Sequence, residues 1–448
     1  MKKDLLHGSV RPQLARLALP LFLGCLLQQL YNTVDSLVVG RYLGTDAFAS
    51  TGVSGTVMNL FIFVLNGFCV GAGILFGQEY GAGRKDEFRK CVFTALMAGT
   101  ALTVLFSAGS IALLEPLLRA IDTPAELVPF CRSYLHIILG GLIFTFLYNL
   151  FSSVLRSMGD TRAALLFLAV SAVLNILLDL LLIAVLRLGI SGAAAATVAA
   201  QGVSAVCSYV YLRRRYPEYI CTAKDAGFYP AVLGPALRLG LVSALHQSSL
   251  YIGKLLVQGA VNTLGTSGIA AFTAASRIEG VLGTFADSIS QSVSIHVSQN
   301  YGAKNRERVY MAFRHGEGLL HLLFVLLLPW VFLFARPLTD LFLNGADTAA
   351  LIAGAKYLRV VAPFYILGFT GYGYVGYFRG TGRILVPFCA TTLQISIRVI
   401  LSYLMVKGMG LSAVGWATGI GWIAIVLFHT SMFLLTRRKE RIQAESVS

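Results

Sequence analysis

QEYGAGRKDEFRK at residues 78–90 and SQNYGAKNRERVY at residues 298–310 are two versions of one segment. Their shared YGA begins at Tyr80 and Tyr301, 221 positions apart, and a basic run follows each copy. Further matches lie on either side. YLHIIL from Tyr134 answers YLRVVA from Tyr357, and LRSMG from Leu155 answers FRGTG from Phe378, both at an offset of 223. LGISGAAAATVA from Leu188 answers MGLSAVGWATGI from Met409, again at 221. Several matches at nearly one offset mark an internal duplication. Two such units nearly exhaust the 448 residues.

The composition says where the duplicated unit resides. Hydrophobic residues make up 56% and charged residues 13%, against roughly 25% charged in an ordinary soluble protein. The mean hydropathy of +0.73 excludes a disordered chain and argues against a soluble enzyme. A helical span needs about 20 apolar residues. Twelve candidates are centred in 14–39, 47–78, 89–114, 127–154, 162–186, 190–212, 236–262, 268–298, 311–334, 354–378, 384–406 and 411–435. The expected fold is an all-α membrane protein with twelve transmembrane helices in two six-helix lobes. Six is even, so the repeats are parallel, a known transporter architecture. The expected division is an N-lobe over 1–213, an inter-lobe linker over 214–235, a C-lobe over 236–436 and a basic tail over 437–448.

Charge orients the spans. With the N-terminus cytoplasmic, inside segments hold 25 of the 36 Lys and Arg, outside segments hold eight, and three lie within spans. That split follows the positive-inside rule and puts both termini in the cytoplasm. The net charge of +15 is then topology, and no nucleic-acid partner is expected. The N-terminal segment runs straight into a span longer than a signal-peptide core, so no cleavable leader is expected. The seven Cys contain no CxxC pair and read as small apolar residues.

Polar residues within spans are costly and usually face the bundle interior. Gln28, Asn32 and Asp35 form one stripe on the first span, and Ser171, Asn175 and Asp179 form another on the fifth. Thr197, Gln201, Ser204 and Ser208 form a third on the sixth. These faces can converge on a wet cavity with two carboxylates, although the hydroxyls and amides serve equally well as helix–helix hydrogen bonds. The second lobe is mixed in charge. Its spans carry Gln247, Tyr251, Lys254 and Gln258, then Arg277, Glu279 and Asp287, then Thr391, Gln394, Arg398 and Ser402. Lys254, Glu279, Asp287 and Arg398 are candidates to pair with one another or to contact substrate, as are Gln28, Asn32 and Gln201. Glu279 has Lys254 and Arg398 as alternative partners. Glu79 and Glu317 read as solvated residues near span ends. The glycines of GAGILFG (71–77) suit close helix approach, not a dinucleotide fold. No Walker A, HExxH or GxSxG pattern is present, so neither an enzyme nor a cofactor is expected.

Pro20 in the first span, followed by LYNTVDSLVVGRYLG (30–44), resembles the opening of the multidrug and toxic compound extrusion (MATE) family. The paired QEYGAG and QNYGAK loops and the LRSMGDTR and FRGTGR loops are similar to that family as well. The resemblance covers essentially the whole chain. It implies a V-shaped, monomeric, two-lobed antiporter of the cell (inner) membrane. Such a protein is driven by H⁺ or Na⁺ and expels organic cations and amphipathic drugs or metabolites by alternating access. It also implies a cation site at Asp35, Asn175, Asp179 and Thr197, the only place where a metal ion, Na⁺, is expected. Tyr134 would lie beside the site, and Pro20 would be the point at which the first helix bends. Tyr134 rests on the resemblance alone. The chain departs from branches that carry a carboxylate in the seventh span. Lys254 stands in that span instead, which argues against a C-lobe cation site of that type and fits an anionic or zwitterionic substrate. The basic residues of the second lobe also suit a rival reading, a lipid-linked oligosaccharide flippase of the same wider superfamily.

Overall fold

The computed structural model describes residues 5–120, 123–343 and 347–445. All regular structure among them is helical. In chain order the helices are α1 (Val10–Leu43), α2 (Thr45–Gly81), α3 (Lys85–Ala112), α4 (Leu114–Ala120), α5 (Val128–Gly140), α6 (Leu142–Ser157), α7 (Thr161–Asp179) and α8 (Ile190–Arg215). They continue with α9 (Pro230–Asn262), α10 (Gly265–Gly302), α11 (Arg306–Leu333), α12 (Ala335–Leu343), α13 (Thr348–Val361), α14 (Tyr365–Gly380), α15 (Leu385–Met409) and α16 (Ser412–Glu445).

Nine helices among the described residues are long and apolar enough to cross a membrane, and the α5–α6 pair, bent by 47°, makes ten. The other two of the twelve expected spans are α9 and α10, of 33 and 38 residues. Polar groups dilute their apolar character: Arg238, Gln247, Lys254 and Gln258 on α9, and Arg277, Glu279, Asp287 and a run of serines on α10. Outward-facing residues such as Leu105 (67% exposed) and Leu404 (73% exposed) are what a lipid-facing surface requires.

The chain divides into two compact units. Unit 1 comprises Met1–His7, Leu19–Ala244 and Ser298–Lys304, and unit 2 comprises Gly8–Ala18, Leu245–Val297 and Asn305–Ser448. Helix α1 passes from unit 2 to unit 1 between Ala18 and Leu19, beside buried Pro20. The proline removes one backbone hydrogen bond from an otherwise continuous helix. One apolar core around Phe68, Phe88, Leu135 and Phe146 fills unit 1. Unit 2 has two cores, one around Phe272, Tyr357 and Phe369 and one around Val297, Phe313 and Phe378. Several helices start on side-chain caps. Asp160 accepts from Ala163 N, Asn305 from Arg308 N and Asp347 from Ala350 N. Between α8 and α9, Asp225 accepts from the Thr222 amide and hydroxyl and from Arg89. Burial opposes its charge, but these donors outweigh that cost and hold its carboxyl below the usual range.

The duplication is written into the backbone. Left-handed residues recur at the repeat offsets: Gly44 and Gly265, Gly83 and Lys304, Gly159 and Gly382, Gly189 and Gly410. Of these eight residues Lys304 (φ 59°) alone carries a side chain in this conformation, where its counterpart Gly83 (φ 70°) does not. Within unit 1 the two YGA turns meet reciprocally. A Cβ on Gly81 would strike the Gln299 backbone, and one on Gly302 would strike the Gln78 backbone. Glycines of the GAGILFG run serve the same purpose: Gly71 lies against Gly240, Gly73 against Ser153 and Gly77 against Ser298.

The left-handed conformation costs a residue with a Cβ on the order of 1–2 kcal/mol. Lys304→Gly is therefore expected to stabilise the purified protein and Gly83→Lys to destabilise it, each by roughly 1 kcal/mol, read as a raised and a lowered thermal midpoint. Equal midpoints in both variants would contradict the strain at Lys304.

Candidate functional site

Helix α7 delivers Asn175 and Asp179 to the interior of unit 1, one turn apart. Both side chains are buried, with 1% and 0% of the residue exposed. At Asp179 the α-helix gives way to a π-helical turn, Leu180–Val185, and Arg187 beyond it has φ 53°. The repeat shows why. Nine positions separate Asp179 from Leu188, and seven separate their counterparts Ser402 and Met409. Unit 1 absorbs two extra residues as a widened turn, whereas α15 runs through as regular helix. π-Turns of this kind are frequent at functional sites.

With its amide turned to satisfy both neighbours, Asn175 donates Nδ2 to Asp179 Oδ2 at 2.9 Å. Its Oδ1 then accepts from the hydroxyl and backbone N–H of Thr197 on α8, both at 3.2 Å. From α1, the Asp35 carboxyl lies within hydrogen-bonding reach of the Asp179 carboxyl. Asp35 Oδ1 and Asp179 Oδ1 are buried and have no hydrogen-bond partner among the described residues. Tyr134 on α5 is 6% exposed and close enough to both carboxylates to interact with them electrostatically. The five residues Asp35, Tyr134, Asn175, Asp179 and Thr197 are thus brought together.

One neighbour is absent from that set. Tyr31, one turn before Asp35 on α1, reaches the Thr197 side chain and interacts with both carboxylates. Its i, i+4 register with Asp35 is visible in the sequence, but an aromatic residue in an apolar span reads as lipid-facing or core. Gln28 and Asn32 share α1 with Asp35 but are exposed. Gln201 and Thr197 line a small enclosed cavity of about 20 Å³, and Gln201 Oε1 is buried without a partner. That volume suffices for one water. Ser204 donates to Phe167 O at 2.8 Å and serves as helix–helix glue.

Two carboxyls facing each other in a helix bundle cannot both be ionised without a positive charge between them. Carboxylate, amide and hydroxyl oxygens are hard donors, suited to a proton or a small hard cation. Among the described residues no group of three or more His, Cys, Asp or Glu is placed to hold a metal ion.

Among the described residues no ion pair joins Lys254, Glu279, Asp287 and Arg398, so of the two alternatives direct pairing is not the one seen. Glu279 accepts from the Tyr357 hydroxyl at 3.1 and 3.2 Å and from Tyr365 at 3.3 Å. Lys254 and Arg398 interact with Glu279 electrostatically but form no ion pair with it. Asp287 accepts from Gln291 Nε2 at 2.7 Å. Glu317 is not solvated. Its side chain is 13% exposed, because it lies nearly three turns inside α11 and fills the space left by Gly373 on α14. The His321 imidazole lies beside it, with Nε2 3.5 Å from Glu317 Oε2, and neither oxygen accepts a hydrogen bond. His321 Nε2 lies 3.0 Å from Thr370 Oγ1.

The MatE family model matches this chain twice, over residues 20–181 and 243–404, two windows at an offset of 223. The chain is 29% identical over 389 residues to "Probable multidrug resistance protein YpnP" of Bacillus subtilis, with 85% of each chain covered. It is 28% identical over 442 residues to "Probable multidrug resistance protein NorM" of Thermotoga maritima, covering 95% of this chain and 92% of that one. A solved structure described as MATE in the bent conformation superposes with a TM-score of 0.90 at 25% identity, covering 99% of this chain and 98% of that one.

An unpaired buried carboxyl costs about 1–3 kcal/mol or more. Glu317→Met keeps the length of the side chain and removes the unsatisfied oxygens, so the variant is expected to melt at a higher temperature than wild type. A lower midpoint would show that the Glu317 carboxylate contributes a stabilising contact.

Proposed function

The chain belongs to the MatE family of multidrug efflux transporters, and we propose that it exports organic cations and other amphipathic compounds in exchange for inward H⁺ or Na⁺. The observation that carries this reading is the facing pair Asp35 and Asp179, joined through Asn175 to Thr197. A proton or Na⁺ entering between the carboxyls cancels their repulsion, and its departure restores it. Two states of the site therefore differ in free energy, and anything else that distinguishes them is coupled to the ion. The element placed to respond is α1, which carries Asp35 and lacks one backbone hydrogen bond at Pro20. Bending there on loading would link the ion to alternating access. In this reading both termini are cytoplasmic, the chain resides in the cell membrane, and a monomer suffices.

The driving force depends on what leaves. One inward elementary charge gains about 2.3 kcal/mol per 100 mV, and one pH unit adds about 1.36 kcal/mol. A compound with no net charge, exchanged for one proton, benefits from both, enough for a gradient of several hundred-fold. A monovalent cation exchanged for one proton moves no net charge, and only the chemical gradient acts.

The decisive test is efflux of a fluorescent organic cation from cells lacking their own pumps, followed by proteoliposomes with imposed pH or Na⁺ gradients. Asp35→Asn and Asp179→Asn, at equal expression, are expected to lower gradient-driven efflux at least tenfold. Transport that survives both substitutions, or that ignores both gradients, would falsify the coupling site.

A further inference from the structure

The site in unit 1 has an image in unit 2. At the repeat offsets Tyr134 answers Tyr357, Asn175 answers Arg398, Asp179 answers Ser402 and Thr197 answers Thr418. The structure keeps this image assembled. The Tyr357 hydroxyl donates to Glu279 and lies within reach of Thr418, and Arg398 interacts with both Tyr357 and Glu279. The scaffold is retained, but an amide has become a guanidinium and a carboxyl has become a hydroxyl.

Among the described residues these charges lie within electrostatic range of one another but form no direct ion pair. Glu279 is engaged by two phenols. Arg398 Nε is buried without a partner, and so is Ser402 Oγ, one turn further along α15 on a residue with 0% exposure. Lys254 stands exposed on α9, which packs against α15 where Gly253 meets Ile395. Among the described residues neither Lys254 nor Arg398 forms an ion pair. A cation left unpaired within a membrane span is costly and marks a functional position. Guanidinium is also the group best shaped to grip a carboxylate or phosphate with two parallel hydrogen bonds.

We propose that unit 2 holds an anion-binding subsite, with Arg398 as its fork and Lys254 as its outer charge, that takes the carboxylate or phosphate group of the exported compound. This rests on the exporter reading and narrows it: the preferred substrates carry an anionic group as well as an apolar body. A zwitterion of that kind has no net charge, so its export in exchange for a proton is driven by the membrane potential as well as by the pH gradient.

The test uses a matched pair of fluorescent xanthene dyes, one with a free benzoate and the other its methyl ester. Binding to the full-length protein in nanodiscs is followed by anisotropy with no gradient present. Wild type is expected to bind the free acid about tenfold more tightly than the ester, about 1.4 kcal/mol. Arg398→Gln should bring the ratio close to one, and Arg398→Lys should leave an intermediate ratio because the charge remains but the fork is lost. If Arg398→Gln fails to fold, Arg398→Lys decides alone. The measurement is repeated in discs of neutral phosphatidylcholine and in discs containing anionic phosphatidylglycerol. A wild-type preference weakened by anionic lipid, with no such effect in Arg398→Gln, supports the subsite and shows that lipid headgroups compete for it. A ratio unchanged by both substitutions in both lipids overturns the proposal. Because no gradient is used, the dye ratio is independent of the coupling site, and failure of one leaves the other standing.

Discussion

Asp35 and Asp179 face each other across a helix interface, and like charges at that range in a poorly polarisable medium repel by several kcal/mol unless something positive lies between them. Much of unit 1 is arranged around that constraint. Asn175 donates to one carboxyl and accepts from Thr197, so that α7 and α8 are tied together at the depth of the pair. Tyr31 and Tyr134 lie within electrostatic range of both carboxyls, and Tyr31 reaches Thr197 as well. The glycines of α2 let it pack tightly against its neighbours, which stiffens the frame in which the carboxyls are held. Helix α1 carries both Asp35 and the proline.

Much of this was legible in the residues. The repeat offsets identified a two-lobed duplication, and the matched left-handed turns at Gly44, Gly83, Gly159 and Gly189 are its backbone counterpart. Asp35, Asn175, Asp179 and Thr197 stood out because a polar stripe on an apolar helix has few explanations. Tyr134 required the family resemblance, since an isolated tyrosine in a span carries no directional signal. Tyr31 escaped for the same reason. Glu317 was misplaced because its distance from a span end depends on where the helix begins, and a glycine on a distant helix decides whether the space beside it is open. The partner of Glu279 could not be chosen because phenols compete with cations for a buried carboxylate and leave no pattern of charge to read.

The two units also show how one scaffold can hold opposite charges. The tyrosine and the threonine are kept, and the two positions between them are exchanged, amide for guanidinium and carboxyl for hydroxyl. The spacing of the two exchanged positions is kept, because Asn175 and Asp179, like Arg398 and Ser402, are one turn apart on equivalent helices. What differs is the acid that accompanies each set. In unit 1 it is a second aspartate facing the first, and in unit 2 it is a glutamate held by two hydroxyls.

The π-helical turn after Asp179 gives the duplication a history. Two inserted residues were accommodated without unravelling the helix, by widening one turn immediately beyond the carboxyl. A widened turn spaces its carbonyls unevenly and leaves some of them weakly bonded, so the helix has a soft collar immediately beyond Asp179. Its twin in unit 2 has no such collar. Two halves that began as copies therefore differ in compliance as well as in charge. The half that holds the carboxyl pair carries a widened turn beside it, and in the half with the basic residues the equivalent helix runs on regularly.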